Sequence, residues 1–220
     1  MSWRSSTQSE LVEAVERCAL RLEALGHEVE DSHPGALDDA SSVARYVITV
    51  QANIARALDA WGEKVGRAVE QSDVEPLTWE LGSRGREISA PQLLATVEAV
   101  HRFGRQLAEC WRGGFDLLLT PTQAAPPPRI GTLRSTPEEP LRGFVDSAPY
   151  GVFTLPFNLS GQPAISLPAG WTAGDENTPA GLPLGIQLVA PYGAERLLLR
   201  TAAELEQAEP WTDRLPPLFG

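Results

Sequence analysis

The sequence predicts an α/β protein with a mixed β-sheet covered by helices, and three observations lead there. Two apolar runs, Ala164–Leu167 and Leu184–Ala190, are each bracketed by proline or glycine. Buried strands with abrupt ends look this way, because proline donates nothing to a ladder and collects at strand ends. A third run, Phe115-Asp116-Leu117-Leu118-Leu119-Thr120-Pro121, is short, nearly all apolar and closed by proline, which again predicts a buried strand. Upstream of it, apolar residues recur every three or four positions over long segments, the helical period. The chain therefore reads as a single domain over residues 1–220, with a mainly helical part over 1–114 and a strand-rich part over 115–220 that ends in a closing helix.

Ser5, Ser6 and Thr7 are candidate caps for a helix that turns Leu11, Val15, Cys18, Leu22 and Leu25 to one face, with Gly26 as its left-handed C-terminal cap. His27-Glu28-Val29-Glu30 follows as a short extended segment, predicted to add a strand to the sheet. Asp38 or Asp39 starts a second helix that runs to about Gly66. Ser72 to Pro76 starts a third, predicted to end near Gly82 to Gly85. Ser89-Ala90-Pro91 opens a fourth, closed by Gly113-Gly114. Residues 122–149, with Pro126, Pro127, Pro128, Pro137, Pro140 and Pro149, read as one long loop, too rich in breakers for a packed element. The two runs that frame Tyr150–Pro191 most simply pair antiparallel around a polar loop at Thr172–Gly181, which includes Asn177. Gly151, Gly161, Gly170 and Gly185 read as strand-end glycines, and Gly193–Gln207 as the last amphipathic helix.

The 220 residues carry a net charge of −11, with 42% apolar residues, a composition that can build a core. The acidic balance argues against nucleic acid or an anionic membrane as partner. No run is long and apolar enough for a membrane span, and residues 1–10 hold no apolar leader, so a cytoplasmic location is expected. Cys18 and Cys110 have no cysteine or histidine at ligand spacing, which predicts buried thiols, no metal site and no cofactor. His27, His33 and His101 are far apart in sequence, and no Gly-x-Ser-x-Gly elbow or His-x-x-x-His pair occurs. Residue patterns alone yield no complete catalytic set.

A resemblance adds to this. Asn158-Leu159-Ser160-Gly161-Gln162-Pro163-Ala164-Ile165-Ser166-Leu167-Pro168 resembles the C-terminal motif of the amidase signature family. Residues 115–122 and Leu182-Pro183-Leu184-Gly185-Ile186-Gln187-Leu188-Val189-Ala190-Pro191 are similar to strands that flank it in that family, and the closing helix and residues 206–211 fit its usual ending. The resemblance implies a partial amidase-signature fold and hydrolysis of C–N bonds in linear or cyclic amides. Family members use a serine nucleophile, a second serine in a cis peptide and a lysine that moves the proton, since a hydroxyl becomes nucleophilic only beside a positioned base. Those residues belong to the family's N-terminal half, which this chain is expected to lack. Lys64, the only lysine, sits on an exposed helix face, and the doublets Ser5-Ser6 and Ser41-Ser42 lack flanking glycines. No catalytic residue therefore transfers. Thr120, Thr122, Phe157 and Asn158 match positions near the substrate in relatives and transfer as pocket wall.

Two consequences follow from a half-fold. About four strands of a larger set are expected, leaving an open sheet edge and an apolar patch of several hundred Å² or more. At ~25 cal/mol per Å², losing even ~1,000 Å² of burial exceeds the net stability of most domains. A complementary N-terminal amidase chain or self-association is the expected partner, and the chain alone is expected to be inactive. The competing reading is a non-catalytic binding or interaction module that kept the fold; an active hydrolase working through Lys64 is the third.

Overall fold

The computed structural model describes residues 7–176 and 178–214. In chain order its regular elements are α1 (Ser9–Ala24), α2 (Ser41–Val65), α3 (Pro76–Arg86), α4 (Ala90–Arg112), β1 (Leu118–Pro121), α5 (Arg142–Asp146), α6 (Ala148–Gly151), α7 (Leu155–Ser160), β2 (Ala164–Trp171), β3 (Pro183–Val189) and α8 (Glu195–Ala208). Single turns of 3-10 helix lie at Gly35–Asp38 and Gln71–Asp73. The elements divide between two compact units. One is built from the chain up to His33, Cys110–Pro127 and the chain from Tyr150 onward; the other from Pro34–Glu109 and Pro128–Pro149.

The first unit is organised on β3, which pairs antiparallel with β1 on one side and β2 on the other, giving the order β1-β3-β2. The antiparallel pair expected from the two apolar runs is present, and β2 extends beyond Leu167 to Trp171 through an irregularity between Pro168 and Gly170. Alternation along each strand sends Leu167, Ile186 and Leu188 to one face, where α1 supplies Val15, Cys18 and Leu22 and α8 supplies Leu198, Ala202 and Leu205. Ile186 and Leu188 are 0% exposed, so this face is the core of the unit. The loop from Thr172 to Gly181 is held at its base by Thr172, which is buried. The Thr172 amide donates to the Leu182 carbonyl, its hydroxyl donates to the Pro179 carbonyl, and the Leu182 amide donates to the Thr172 hydroxyl.

Helix α1 begins at Ser9, and its N-cap residue is Gln8, whose side chain makes no cap bond; the Gln8 amide instead donates to the Ala124 carbonyl at 3.0 Å. The candidate caps Ser5 and Ser6, and the loop residue Asn177, lie outside the described residues. Gly26 has φ +95°, the left-handed conformation expected of a C-terminal cap.

Three expectations need correction. His27–Glu30 forms no strand. Glu28, Val29 and Glu30 are all exposed, so a strand here would bury almost nothing; the segment is held by the His27 amide on the Leu22 carbonyl and by His27 Nε2 at 3.2 Å from Glu204 Oε2. The sheet among the described residues therefore has three strands rather than about four. The segment 122–149 is not wholly loop, because α5 forms a turn of helix inside it, with Arg142 and Asp146 paired at 2.7 Å one turn apart. Finally, of the presumed strand-end glycines, Gly185 lies inside β3 and Gly170 inside β2, while Gly161 (φ +76°) caps α7.

In the second unit α2 packs along α3. Gly82 and Gly85, expected to end α3, are buried within it. They are there for close approach: a Cβ at Gly85 would stand 2.1 Å from the Gln51 carbonyl oxygen and 2.9 Å from Ala55 Cβ, and one at Gly82 would stand 2.4 Å from Leu58 Cδ1. Leu58 and Ala55 on α2 and Leu81 on α3 are all buried. Helix α2 starts where Asp39 gathers bonds: its carboxylate accepts from the Ser41 hydroxyl at 2.5 Å, the Ser41 amide at 3.0 Å and Arg45 Nη1 at 2.7 Å. Those donors, the Ser41 hydroxyl first and Arg45 next, lower the Asp39 carboxyl to about 2 from 3.8. The left-handed Gly66 closes the helix.

Two outcomes are expected. Gly85→Ala should cost about 2–3 kcal/mol, because a helix backbone cannot retreat as a side-chain tip can, and should lower the thermal transition by about 4–10 °C. Gly35→Ala, with no atom within 4 Å of the added carbon, should leave it unchanged. Asp39 has a depressed folded-state value, so its contribution is complete above the unfolded value near 3.8 and disappears as pH falls toward 2. Asp39→Asn should therefore cost about 1 kcal/mol in denaturant melts at pH 7 and nothing measurable at pH 2.

Candidate functional site

The face of the sheet opposite α1 and α8 is chemically different from the core face. The register that pairs Leu119 with Leu188 on the core side places Thr120 beside Gln187, and Gln187 beside Ser166, in one row across all three strands. Gly185 and Thr122 form the next row, with the Thr122 amide donating to the Gly185 carbonyl at 2.9 Å. This face therefore carries hydroxyls and a carboxamide where the other carries leucine and isoleucine.

Gln187 is 4% exposed, and a carboxamide buried in the central strand must be bonded. Its Nε2 donates to Thr120 Oγ1 at 3.1 Å and to the Phe153 carbonyl at 3.1 Å, tying the segment ahead of α7 to the sheet. Thr120 Oγ1 in turn donates to the Pro121 carbonyl at 2.9 Å. Diagonally between the two rows, Thr122 Oγ1 and Ser166 Oγ lie 2.7 Å apart. Their residues belong to the two outer segments, so this bond passes over β3 at Gly185. A Cβ there would stand 2.8 Å from Thr122 Oγ1 and 3.2 Å from Ser166 Oγ, which is why the strand has glycine at this position.

Of the four residues expected to line a pocket, Thr120 and Thr122 share this face. Phe157 and Asn158 are neighbours on α7, where the Phe157 ring is buried and Asn158 is exposed. Gln187, Ser166 and Gly185 were not singled out from sequence as site residues. The signal for Gln187 was present, since a lone carboxamide in the run Leu184–Ala190 must find partners or weaken the strand. Ser166 and Gly185 had no such signal; their significance depends on a cross-strand register.

The hydroxyls on this face bond to one another, to a carboxamide and to a carbonyl, and none to a base. The lone lysine does not supply one: Lys64 Nζ lies 4.5 Å above the Trp61 ring at the exposed end of α2. Cys18 is buried, and burial pushes its thiol up to about 11 despite the opposing Arg21 charge, the setting of a structural thiol. On the core side, Cys18, Arg21, Leu167 and Trp211 line a small cleft of about 30 Å³. Its charged groups are already matched, with Arg21 and Glu209 paired at 2.8 Å. No group of histidine, cysteine, aspartate and glutamate among the described residues is arranged to hold a metal ion, and no helix among them is long and apolar enough to cross a membrane.

Gln187→Leu should remove the bond from the Gln187 carboxamide to the Phe153 carbonyl. Hydrogen exchange is expected to accelerate by about tenfold across residues 150–160, with a global loss of about 1–3 kcal/mol. Unchanged exchange in that segment would mean that the carboxamide does not anchor it.

Comparison with known proteins identifies the family of the chain. The amidase family model matches residues 2–199. The chain is 38% identical over 215 residues to the 6-aminohexanoate-cyclic-dimer hydrolase of Pseudomonas sp. (strain NK87), and equally so to that of Paenarthrobacter ureafaciens; each match covers 96% of this chain and 42% of the relative. A solved structure of 6-aminohexanoate cyclic dimer hydrolase superposes with a TM-score of 0.89 at 37% identity, covering 97% of this chain and 44% of that one. The chain thus spans about two fifths of the length of the curated relatives it matches, in keeping with the expected C-terminal correspondence. It belongs to the amidase family.

Proposed function

We propose that this chain supplies scaffold and substrate-pocket wall to an amidase that hydrolyses C–N bonds of linear or cyclic amides, while the serine–serine–lysine centre comes from the polypeptide that completes it. The observation that carries this reading is the sheet face opposite the core, which groups the Thr120, Thr122 and Ser166 hydroxyls around the buried Gln187 carboxamide. Thr120, Thr122, Phe157 and Asn158 belong to that wall. Cyclic amides are the favoured class, since the relatives at 38% identity are named for a cyclic dimer of 6-aminohexanoate.

A complementary N-terminal amidase chain, or a second copy, is the partner this reading calls for. Among the described residues each outer strand pairs with β3 alone, leaving the far edges of β1 and β2 without a strand. Large apolar side chains are also exposed, including Leu20 and Leu199 in the sheet-containing unit and Val43, Trp61 and Leu94 in the helical one. Both features suit a surface that another polypeptide covers.

The test is hydrolysis of the 6-aminohexanoate cyclic dimer, and of a chromogenic anilide, by the purified chain alone and after co-expression with the N-terminal remainder of the Pseudomonas hydrolase. No turnover alone and turnover on co-expression is the expected result. Turnover by the chain alone that disappears in Lys64→Ala would place the catalytic centre within this chain. A soluble monomer that neither binds the complementary chain nor turns over would make it a stand-alone binding module.

A further inference from the structure

We infer that the Thr122–Ser166 hydroxyl pair is the element of this wall that reads the substrate's amide group, contacting its N–H and C=O together, while Thr120 and Gln187 only position the wall. The inference rests on the amidase reading above and goes beyond it by separating residues that share one face.

The separation follows from counting protons. Thr120 has one hydroxyl proton, and it is committed to the Pro121 carbonyl; its oxygen already accepts from Gln187. Gln187 Nε2 has two protons, committed to Thr120 and to the Phe153 carbonyl. Neither has a proton left for a ligand, so neither can donate to an amide C=O, and Gln187 is buried as well. Thr122 and Ser166 differ. Two hydroxyls carry two protons and four lone pairs, and a mutual bond uses one proton and one lone pair. One donor and several acceptor sites remain, on an exposed pair in which Ser166 is open to solvent.

That remainder matches one chemical group. A secondary amide offers one N–H donor and one C=O acceptor. The hydroxyl that gives its proton to its neighbour is left with lone pairs for the N–H, and the neighbour is left with a proton for the C=O. Chaining the bonds polarises each of them. An ester of the same shape has the carbonyl but no N–H, so it engages half of the pair. Gly185 is part of the device, because any side chain there would stand between the two hydroxyls.

The test uses matched ring compounds, the cyclic dimer of 6-aminohexanoate and the cyclic diester of the same ring size. Each is titrated in the millimolar range into the isotope-labelled full chain while backbone amide NMR signals are followed. The diamide is expected to shift the signals of Thr122, Ser166 and Gly185, with the diester weaker by up to about tenfold, the worth of one exchanged hydrogen bond. Ser166→Ala and Thr122→Val should bring the diamide down to the level of the diester. Ser166→Thr and Thr122→Ser, which keep the hydroxyls, should retain the preference. Equal response to the two compounds, shifts that leave out these three residues, no response to the diamide, or a preference that survives Ser166→Ala would each overturn the inference. Co-expression hydrolysis is read separately: diamide preference without turnover sinks the amidase reading and keeps this one, and turnover without preference does the reverse.

Discussion

The pairing of β3 on both of its edges is the constraint on which the rest of the sheet-containing unit depends. Because side chains alternate, one register turns Ile186 and Leu188 into the core and Gly185 and Gln187 away from it. A slip of one residue would reverse every one of these assignments. The Gln187 carboxamide would then lie among Val15, Leu198 and Leu205, where no partner exists, and an unbonded amide in such surroundings costs a few kcal/mol. The polar residue thus acts as a register key. It is well placed in one alignment and expensive in the neighbouring ones, and in the native alignment it also fastens the Phe153 segment to the sheet.

What was legible in the sequence, and what was not, divides along the same physical line. Local periodicity reports burial of one face, so α1, α2, α4 and α8 and all three strands were readable near their observed positions. Elements that depend on partners distant in sequence were not. Gly82 and Gly85 look like helix terminators until α2 lies against them, when they become the point of closest approach. His27–Glu30 has an alternating pattern, but its single apolar residue buries too little to join a ladder. Thr120 and Thr122 were flagged through a family resemblance, whereas Ser166 and Gly185 are ordinary residues whose role arises only when three strands come into register. Their importance is a property of the pairing, not of the residues.

The chemistry of the open face shows how such a wall would discriminate. Hydroxyls in contact with water gain only about 1 kcal/mol by exchanging a water for a ligand, because each bond made replaces one lost. The same groups become more selective when the face is covered, since a donor or acceptor left unpaired in a closed site carries its full desolvation cost. Coverage is also what the unpaired edges of β1 and β2 and the exposed Leu20 and Leu199 lack. Stability and specificity therefore make the same demand. A polypeptide that pairs the open edges would bury apolar surface and at the same stroke exclude water from the Thr122–Ser166 pair, enlarging the preference for an amide over an ester that the uncovered pair already has. A wall divided in this way, with the protons of Gln187 and Thr120 committed behind a pair that keeps one in reserve, requires no exchange of its own hydrogen bonds when it is covered.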